Sequence, residues 1–277
     1  MDNTSEALAA LCEPPEDGIH TVSMETYLGW DALNASMIHE LVTRSPAHAK
    51  WRRDHPDPPR SYTEQGTAMH MAILEPERFE KLYRACEGPW NKNPYKKEKE
   101  AVEAAGLVPI KPDNHEACLL ARANVLEIWP HIFLADDALV EKSIVWTEMV
   151  DGVPVRCKIR PDLLSPDTRL NIDLKTHAGD ITEARFFWTA RDFGYDRKFA
   201  WYLRGCAKLE LPYDAGLVIA IEQEGPCGVI PYAIWPDRLV LAGNQCDAAI
   251  ALYARCRAEN RWSGYATSVR MLFEEKA

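Results

Sequence analysis

Residues Glu141–Lys175 read EKSIVWTEMVDGVPVRCKIRPDLLSPDTRLNIDLK. The pattern predicts strands over Glu141 to Met149 and Val153 to Arg160. Between them stands Asp151-Gly152, a dipeptide suited to a tight hairpin because both residues tolerate positive φ. Ser165-Pro166-Asp167 turns the chain again, and Arg169 to Lys175 makes a third strand. An antiparallel three-stranded meander is the expected result.

Two acids and a lysine stand at the ends of these strands. Asp162 follows Pro161 at the end of the second, and Asp173-Leu174-Lys175 closes the third eleven residues later. Side chains alternate along a strand, so Asp173 and Lys175 share a face about 6 to 7 Å apart. A register that sets Pro161-Asp162 beside Asp173 brings both carboxylates and the ammonium to one point. Such a group can hold a divalent cation beside a phosphodiester and manage the water that attacks it. Mg²⁺ or Mn²⁺ suits Asp162, Asp173 and the Leu174 carbonyl as a partial shell. Lys175 can orient or help deprotonate the water and touch the phosphate, since a neighbouring metal depresses an ammonium's pKa. The alternative is an exposed Asp-Lys pair at a strand end.

Outward from this stretch, Asn34 to Val42 reads as a helix with Met37, Ile38, Leu41 and Val42 on one face, stopped at Ser45-Pro46. Pro56, Pro58 and Pro59 make an extended connection. Gly66 to Tyr83 is helical with a break at Pro76, and His70 stands near its start as a candidate metal ligand or phosphate contact. Trp90 to Lys99 reads as a loop and Asn114 to Ile128 as a helix. After Lys175 come helices over Thr182 to Phe193 and Asp196 to Leu209, strands over Ala215 to Glu222 and Gly228 to Trp235, and a last helix from Asp237 to Glu259. This order implies an α/β fold with a mixed sheet covered on both faces.

The 277 residues, 47% hydrophobic and 27% charged, suit one domain with embellishments. No apolar run is long enough for a membrane span, and no secretory signal is visible, so a cytoplasmic location without membrane contact is expected. Of the net charge of −10, eight acids fall in residues 1 to 40, which hold no Lys or Arg, leaving −2 for the rest. Residues 1 to 20 read as a mobile acidic tail, and 1–33 as an acidic, partly disordered segment before a domain over 34–277. Arg185 to Lys208 is locally basic, with Arg185, Arg191, Arg197, Lys198, Arg204 and Lys208, and Arg44 to Arg60 less clearly so. The eight cysteines form no CxxC pair, and Cys227, Cys246 and Cys256 fit no cluster spacing, so no iron–sulfur cluster is expected.

Gly66-Thr67-Ala68-Met69-His70, Leu74-Glu75-Pro76, Cys157 to Asp162, Asp173-Leu174-Lys175-Thr176 and Tyr195 through Tyr202, in that order, resemble the exonuclease VIII (RecE-type) nucleases. These are often phage-encoded members of the PD-(D/E)XK superfamily. The resemblance runs from Leu33 to Tyr265 and implies a restriction-endonuclease-like core. It further implies a Mg²⁺-dependent exonuclease, with Mn²⁺ able to substitute, that resects linear double-stranded DNA 5′ to 3′ from a free end in recombination. A ring-like homo-oligomer and a single-strand annealing partner of the RecT type belong to the same expectation. Carried over by position, His70, Asp162 and Asp173 match the metal site, Lys175 the catalytic lysine and Tyr202 the tyrosine of the following helix. That family commonly has Gln four residues before the tyrosine, where this chain has Lys198. Lys198, Tyr202 and Arg160 are the expected substrate contacts. A structure-specific endonuclease on the same scaffold, and a degenerate domain that binds DNA or a partner without hydrolysis, are the rival expectations.

Overall fold

A computed structural model describes residues 12–55 and 61–267, apart from the side chains of 61–64. The expected Pro56, Pro58 and Pro59 connection and the first eleven residues of the acidic segment lie outside the described residues. The described chain opens with β1 (Gly18–His20) and α1 (Met24–Gly29), then α2 (Ala35–Thr43), α3 (Pro46–Asp54), α4 (Ser61–Leu74) and α5 (Pro76–Leu82). Next come β2 (Tyr83–Ala85), α6 (Tyr95–Ala104), β3 (Val108–Ile110), α7 (Pro112–Ile128) and α8 (Pro130–Phe133). The central part is β4 (Leu139–Val140), β5 (Ser143–Val150), β6 (Val153–Ile159), β7 (Leu163–Ser165) and β8 (Leu170–His177). The chain continues through α9 (Glu183–Phe193), α10 (Tyr195–Lys208), β9 (Ala215–Glu222), β10 (Val229–Ala233) and α11 (Pro236–Glu259).

Local chemistry sets many of these boundaries. Asn34 caps α2 by accepting from the Met37 N–H at 2.9 Å. α2 stops before Ser45-Pro46 as expected, and Ser45 then caps a new helix with the proline at its first position, where a missing N–H costs little. Pro76 does the same for α5. Part of the expected loop at Trp90 to Lys99 is helical too, because α6 starts at Tyr95 on alternating lysines and glutamates.

The hairpin is present, with Asp151 at φ 49° and Gly152 at φ 80° and a register running from Ile144↔Ile159 to Val150↔Val153. The expected meander is not. β6 does not pair with β8; Pro161 lacks an N–H for the ladder and fixes φ, so β6 ends before it. The chain then enters a short strand that periodicity did not show, β7, whose three residues are all buried. There are thus two main sheets, β1-β5-β6 and a mixed β10-β9-β8-β7-β4, with β8 antiparallel to β7 and parallel to β9. Helices flank both in this α/β fold.

Residues 12–20 of the expected tail, and 21–33 after them, are built into the fold. β1 pairs with β5, and Asp17 accepts from the Thr147 N–H at 2.9 Å and from Arg156 at 2.5 Å. Asp31 faces Arg53 and Arg257 at 3.1 and 2.8 Å. Buried Lys158 donates to the carbonyls of Tyr27 and Trp30 at 2.7 and 2.8 Å. The acidity of this segment is answered by arginines distant in sequence.

Four apolar clusters among the described residues hold the sheets, the smallest being Tyr27, Trp30 and Val145. Trp146, Cys157 and Ile159 pack with α2, α10 and α11. Ile172, Leu174, Ile219 and Ile221 pack with α4 and α7, while Val218 and Ala220 on the other face meet Phe186, Tyr195 and Phe199 of α9 and α10. Gly194, at φ 64°, ends α9 and starts α10; a Cβ there would stand 2.5 Å from His39 Nδ1, so the bend requires glycine. No helix among the described residues is long and apolar enough to cross a membrane.

Buried Glu148 ties β5 to α10. It accepts from Trp146 Nε1 at 2.9 Å and from both Nε and Nη2 of Arg204. Burial alone would raise its carboxyl; Arg204 and the indole N–H outweigh that and lower it. Glu148→Ala is expected to cost about 3 kcal/mol of unfolding free energy in urea at neutral pH. Because the folded-state pKa is depressed, this contribution is complete above the ordinary carboxylate range and is lost as pH falls through the folded value, so the two proteins should converge in acid.

Candidate active site

Alternation along β8 sends Ile172 and Leu174 into the layer beneath α4 and α7, and therefore turns Asp173 and Lys175 toward α10. The β7–β8 register pairs Leu163 with Ile172, and one further step sets Asp162 across from Asp173. Asp162 Oδ2 accepts from the Leu174 N–H at 2.7 Å, which fixes the carboxylate in the kink between β6 and β7. His70 of α4 arrives beside it, with Nδ1 3.9 Å from Asp162 Oδ2.

From the other side α10 presents Tyr195, Lys198 and Tyr202, residues three and four apart and hence on one helical face. Lys198 Nζ donates to Asp173 Oδ1 at 2.5 Å. Lys175 Nζ meets Asp173 Oδ2 and donates to the Leu174 carbonyl at 3.1 Å. The Tyr195 ring lies 5.5 Å from the Lys175 ammonium, and the Tyr202 ring 5.1 Å from that of Lys198. Both oxygens of a fully buried carboxylate thus carry an ammonium.

The electrostatics follow from this packing. Burial would raise Asp173, but Lys175 and Lys198 hold it well below the carboxylate range. Burial raises Asp162, with the Asp173 charge adding to it. Burial lowers Lys175, helped by the like charge of Lys198, while Lys198 is raised by Asp173 against the opposing effect of burial. Burial lowers His70, favouring the neutral imidazole that metals bind.

The structure therefore links Asp162, Asp173, Leu174, Lys175 and Lys198 by direct contacts, with His70 beside Asp162. The two remaining expected contacts are differently placed. The Arg160 guanidinium is engaged by the Val22 carbonyl, Ser143 Oγ and Glu141 Oε2 at 3.0, 2.7 and 3.2 Å. Ser143 opens the neighbouring strand β5, Glu141 lies in the bend between β4 and β5, and Val22 comes from the N-terminal segment. Tyr202 donates to the Arg160 carbonyl at 3.1 Å, and burial pushes its hydroxyl up to about 12. It braces the residue before Pro161-Asp162. Lys198 faces Asp173 instead of reaching outward for a phosphate. The basic run from Arg185 to Lys208 is likewise partly consumed, since Arg197 is buried beside Asp196 and Arg204 serves Glu148.

An open cavity of about 690 Å³ adjoins the site, lined by Gly66, His70, Asp162, Thr176 and Gln223 among others. Val22, Ser23 and Met24 form part of its wall, so the N-terminal segment reaches the site. Gln223 Nε2 donates to Thr176 Oγ1 at 3.1 Å, a pairing without a local sequence signal because β9 and β8 meet only in the sheet. A Cβ on Gly66 would stand 2.8 Å from that hydroxyl, which gives the glycine a reason beyond helix propensity.

The donor chemistry suits a divalent ion. Neighbouring ligand atoms on an octahedral ion at about 2.1 Å stand about 3 Å apart, so His70 and Asp162, at 3.9 Å, would have to move closer to share one. An imidazole with two carboxylates is a set that Mn²⁺ accepts readily, and the Leu174 carbonyl adds an oxygen. Yet no three His, Cys, Asp or Glu side chains among the described residues close on one point tightly enough to hold an ion by themselves. Both oxygens of Asp173 face lysine ammonium groups instead. Cys227 and Cys246, by contrast, lie in different apolar layers.

Residues 36–274 match a family described as a PDDEXK-like domain of unknown function, DUF3799. The chain belongs to this family. Among solved structures, this PDDEXK-like chain is similar to a protein of Eubacterium rectale named as a candidate exonuclease, at 11% identity, covering 93% of this chain and 97% of that one, with a TM-score of 0.57. A phage-related exonuclease from Haemophilus somnus 129PT is 13% identical over 83% of this chain and 96% of that one, with a TM-score of 0.37, too loose to support an argument. No curated protein matches. The fold is that of PD-(D/E)XK nucleases.

If Tyr202 braces the Arg160 carbonyl, Tyr202→Phe keeps the ring and deletes one hydrogen bond. The expected cost is about 1 kcal/mol in urea denaturation, without loss of cooperativity.

Proposed function

We propose that this PDDEXK-like chain is a metal-dependent deoxyribonuclease, an exonuclease that hydrolyses linear double-stranded DNA from a free end, 5′ to 3′, in recombination or end resection. The observation that carries the reading is the convergence of Asp162 and Asp173, opposed across β7 and β8, with Lys175 and His70. Mg²⁺, with Mn²⁺ as substitute, would be held by Asp162, Asp173, His70 and the Leu174 carbonyl. When bound, it would acidify water and offset charge developing on the phosphate.

The chain's own groups do the rest. Lys175, whose burial lowers its affinity for a proton, can in its neutral form take a proton from the water whose oxygen attacks phosphorus, and that proton can pass to the departing oxygen as the P–O bond to the leaving nucleotide breaks. In its charged form the same ammonium contacts a non-bridging oxygen. Asp162 is locked to the Leu174 N–H and so keeps its place while substrate comes and goes. The adjoining cavity gives a terminal nucleotide room. A homo-oligomeric ring and a single-strand annealing partner complete the proposal on the strength of the resemblance.

Lys198 on Asp173 favours one second reading, a domain that binds DNA without cutting it. Purified protein with Mg²⁺ or Mn²⁺ should degrade linear duplex and leave covalently closed circles intact. Asp173→Ala and Lys175→Ala should each lose at least about a hundredfold in rate. Cutting of closed circles would replace the exonuclease by an endonuclease; salt-sensitive binding with no cleavage would favour the second reading.

A further inference from the structure

Asp162 and Asp173 bring two negative charges to the site, and Lys175 and Lys198 bring two positive ones. The cluster is therefore electrically balanced before any metal arrives. A dication entering it meets no net attraction, and both oxygens of Asp173 are already engaged by ammonium groups.

Lys198 is also held where it is. Its ammonium sits over the Tyr202 ring at 5.1 Å, on a helix pinned by Glu148–Arg204 and by the Tyr202 hydroxyl. To free Asp173 Oδ1 for a metal, the ammonium needs another anion within reach of its flexible stem. A DNA phosphate entering the site supplies one.

We infer that Lys198 couples metal binding to DNA binding: the free protein holds divalent ions weakly, and an arriving phosphodiester draws Lys198 off Asp173 and completes the metal site. The inference rests on the nuclease reading and adds the order in which the site is filled. Lys198 is on this account a positioning residue. Linkage makes the coupling reciprocal, so the metal must tighten DNA by the same factor. An uncharged side chain at 198 would leave the cluster at −1, with Asp173 Oδ1 free, and would uncouple the two ligands.

The test is binding, read without turnover. Mn²⁺ affinity is measured by electron paramagnetic resonance of the free ion for the wild type, Lys198→Gln and Lys198→Arg, with no DNA present. Lys198→Gln should bind Mn²⁺ at least about tenfold more tightly than the other two, because a unit charge a few ångströms away has been removed. Affinity for a phosphorothioate duplex is then measured by fluorescence anisotropy with and without Mn²⁺. The ion should tighten the wild type at least about tenfold and Lys198→Gln by less than about threefold. Equal Mn²⁺ affinity in wild type and Lys198→Gln, or an equal effect of Mn²⁺ on their DNA affinity, overturns the inference. If Lys198→Gln does not fold, as judged by circular dichroism, Lys198→Met carries the same expectations. Failure of the nuclease reading shows itself separately, as no hydrolysis of linear duplex by the wild type.

Discussion

The site depends on one buried carboxylate. Asp173 lies at the centre of a sheet between β7 and β9, with no exposed surface, and an unpaired charge there would be very costly. Lys175 from the same strand and Lys198 from α10 compensate it. That requirement fixes how α10 must lie. The helix is aimed by the Gly194 bend, tied to β5 through Arg204 and Glu148, and tied to the β6–β7 kink through Tyr202. The same contacts that stabilise α10 set the spacing of the charged cluster.

The second constraint is Pro161. It ends β6, lets the chain cross from one sheet to the other, and leaves Asp162 at the crossing, where the β7 register delivers it opposite Asp173. The PD pair is thus a structural device: the proline makes the corner in which the aspartate is held against the Leu174 N–H. The N-terminal segment closes one side of that corner through Val22 and Met24, with Asp17, Asp31 and Lys158 fastening it to β5, β6 and α11.

Much of this was legible in the sequence. The Asp151-Gly152 hairpin, the α2, α7 and α9 to α11 helices and the β9 strand follow from periodicity and turn chemistry acting over a few residues. So does the pairing of Asp173 with Lys175 on one face. What was hidden depends on distant partners. β7 is three buried residues with no alternation to detect, so periodicity alone runs the second sheet on from the first. The acidic N-terminus looked unstructured because its arginine partners lie 22 to 226 residues away. Arg160 and Lys198 were expected to face DNA, since nothing local shows that Glu141 and Asp173 already hold them. Residue types suggested a chemistry; only the fold showed which charges are already paired.

The central claim is that Asp162, Asp173 and His70 form a metal site that is completed in the presence of a DNA phosphate. A crystal of the protein with a short phosphorothioate duplex, soaked in Mn²⁺, tests it by anomalous diffraction. The account predicts a single strong peak between Asp162 and Asp173, within ligand distance of His70, with the Lys198 ammonium turned from Asp173 to a phosphate oxygen. DNA bound in the cleft with no anomalous peak there, and Lys198 still on Asp173, would contradict it.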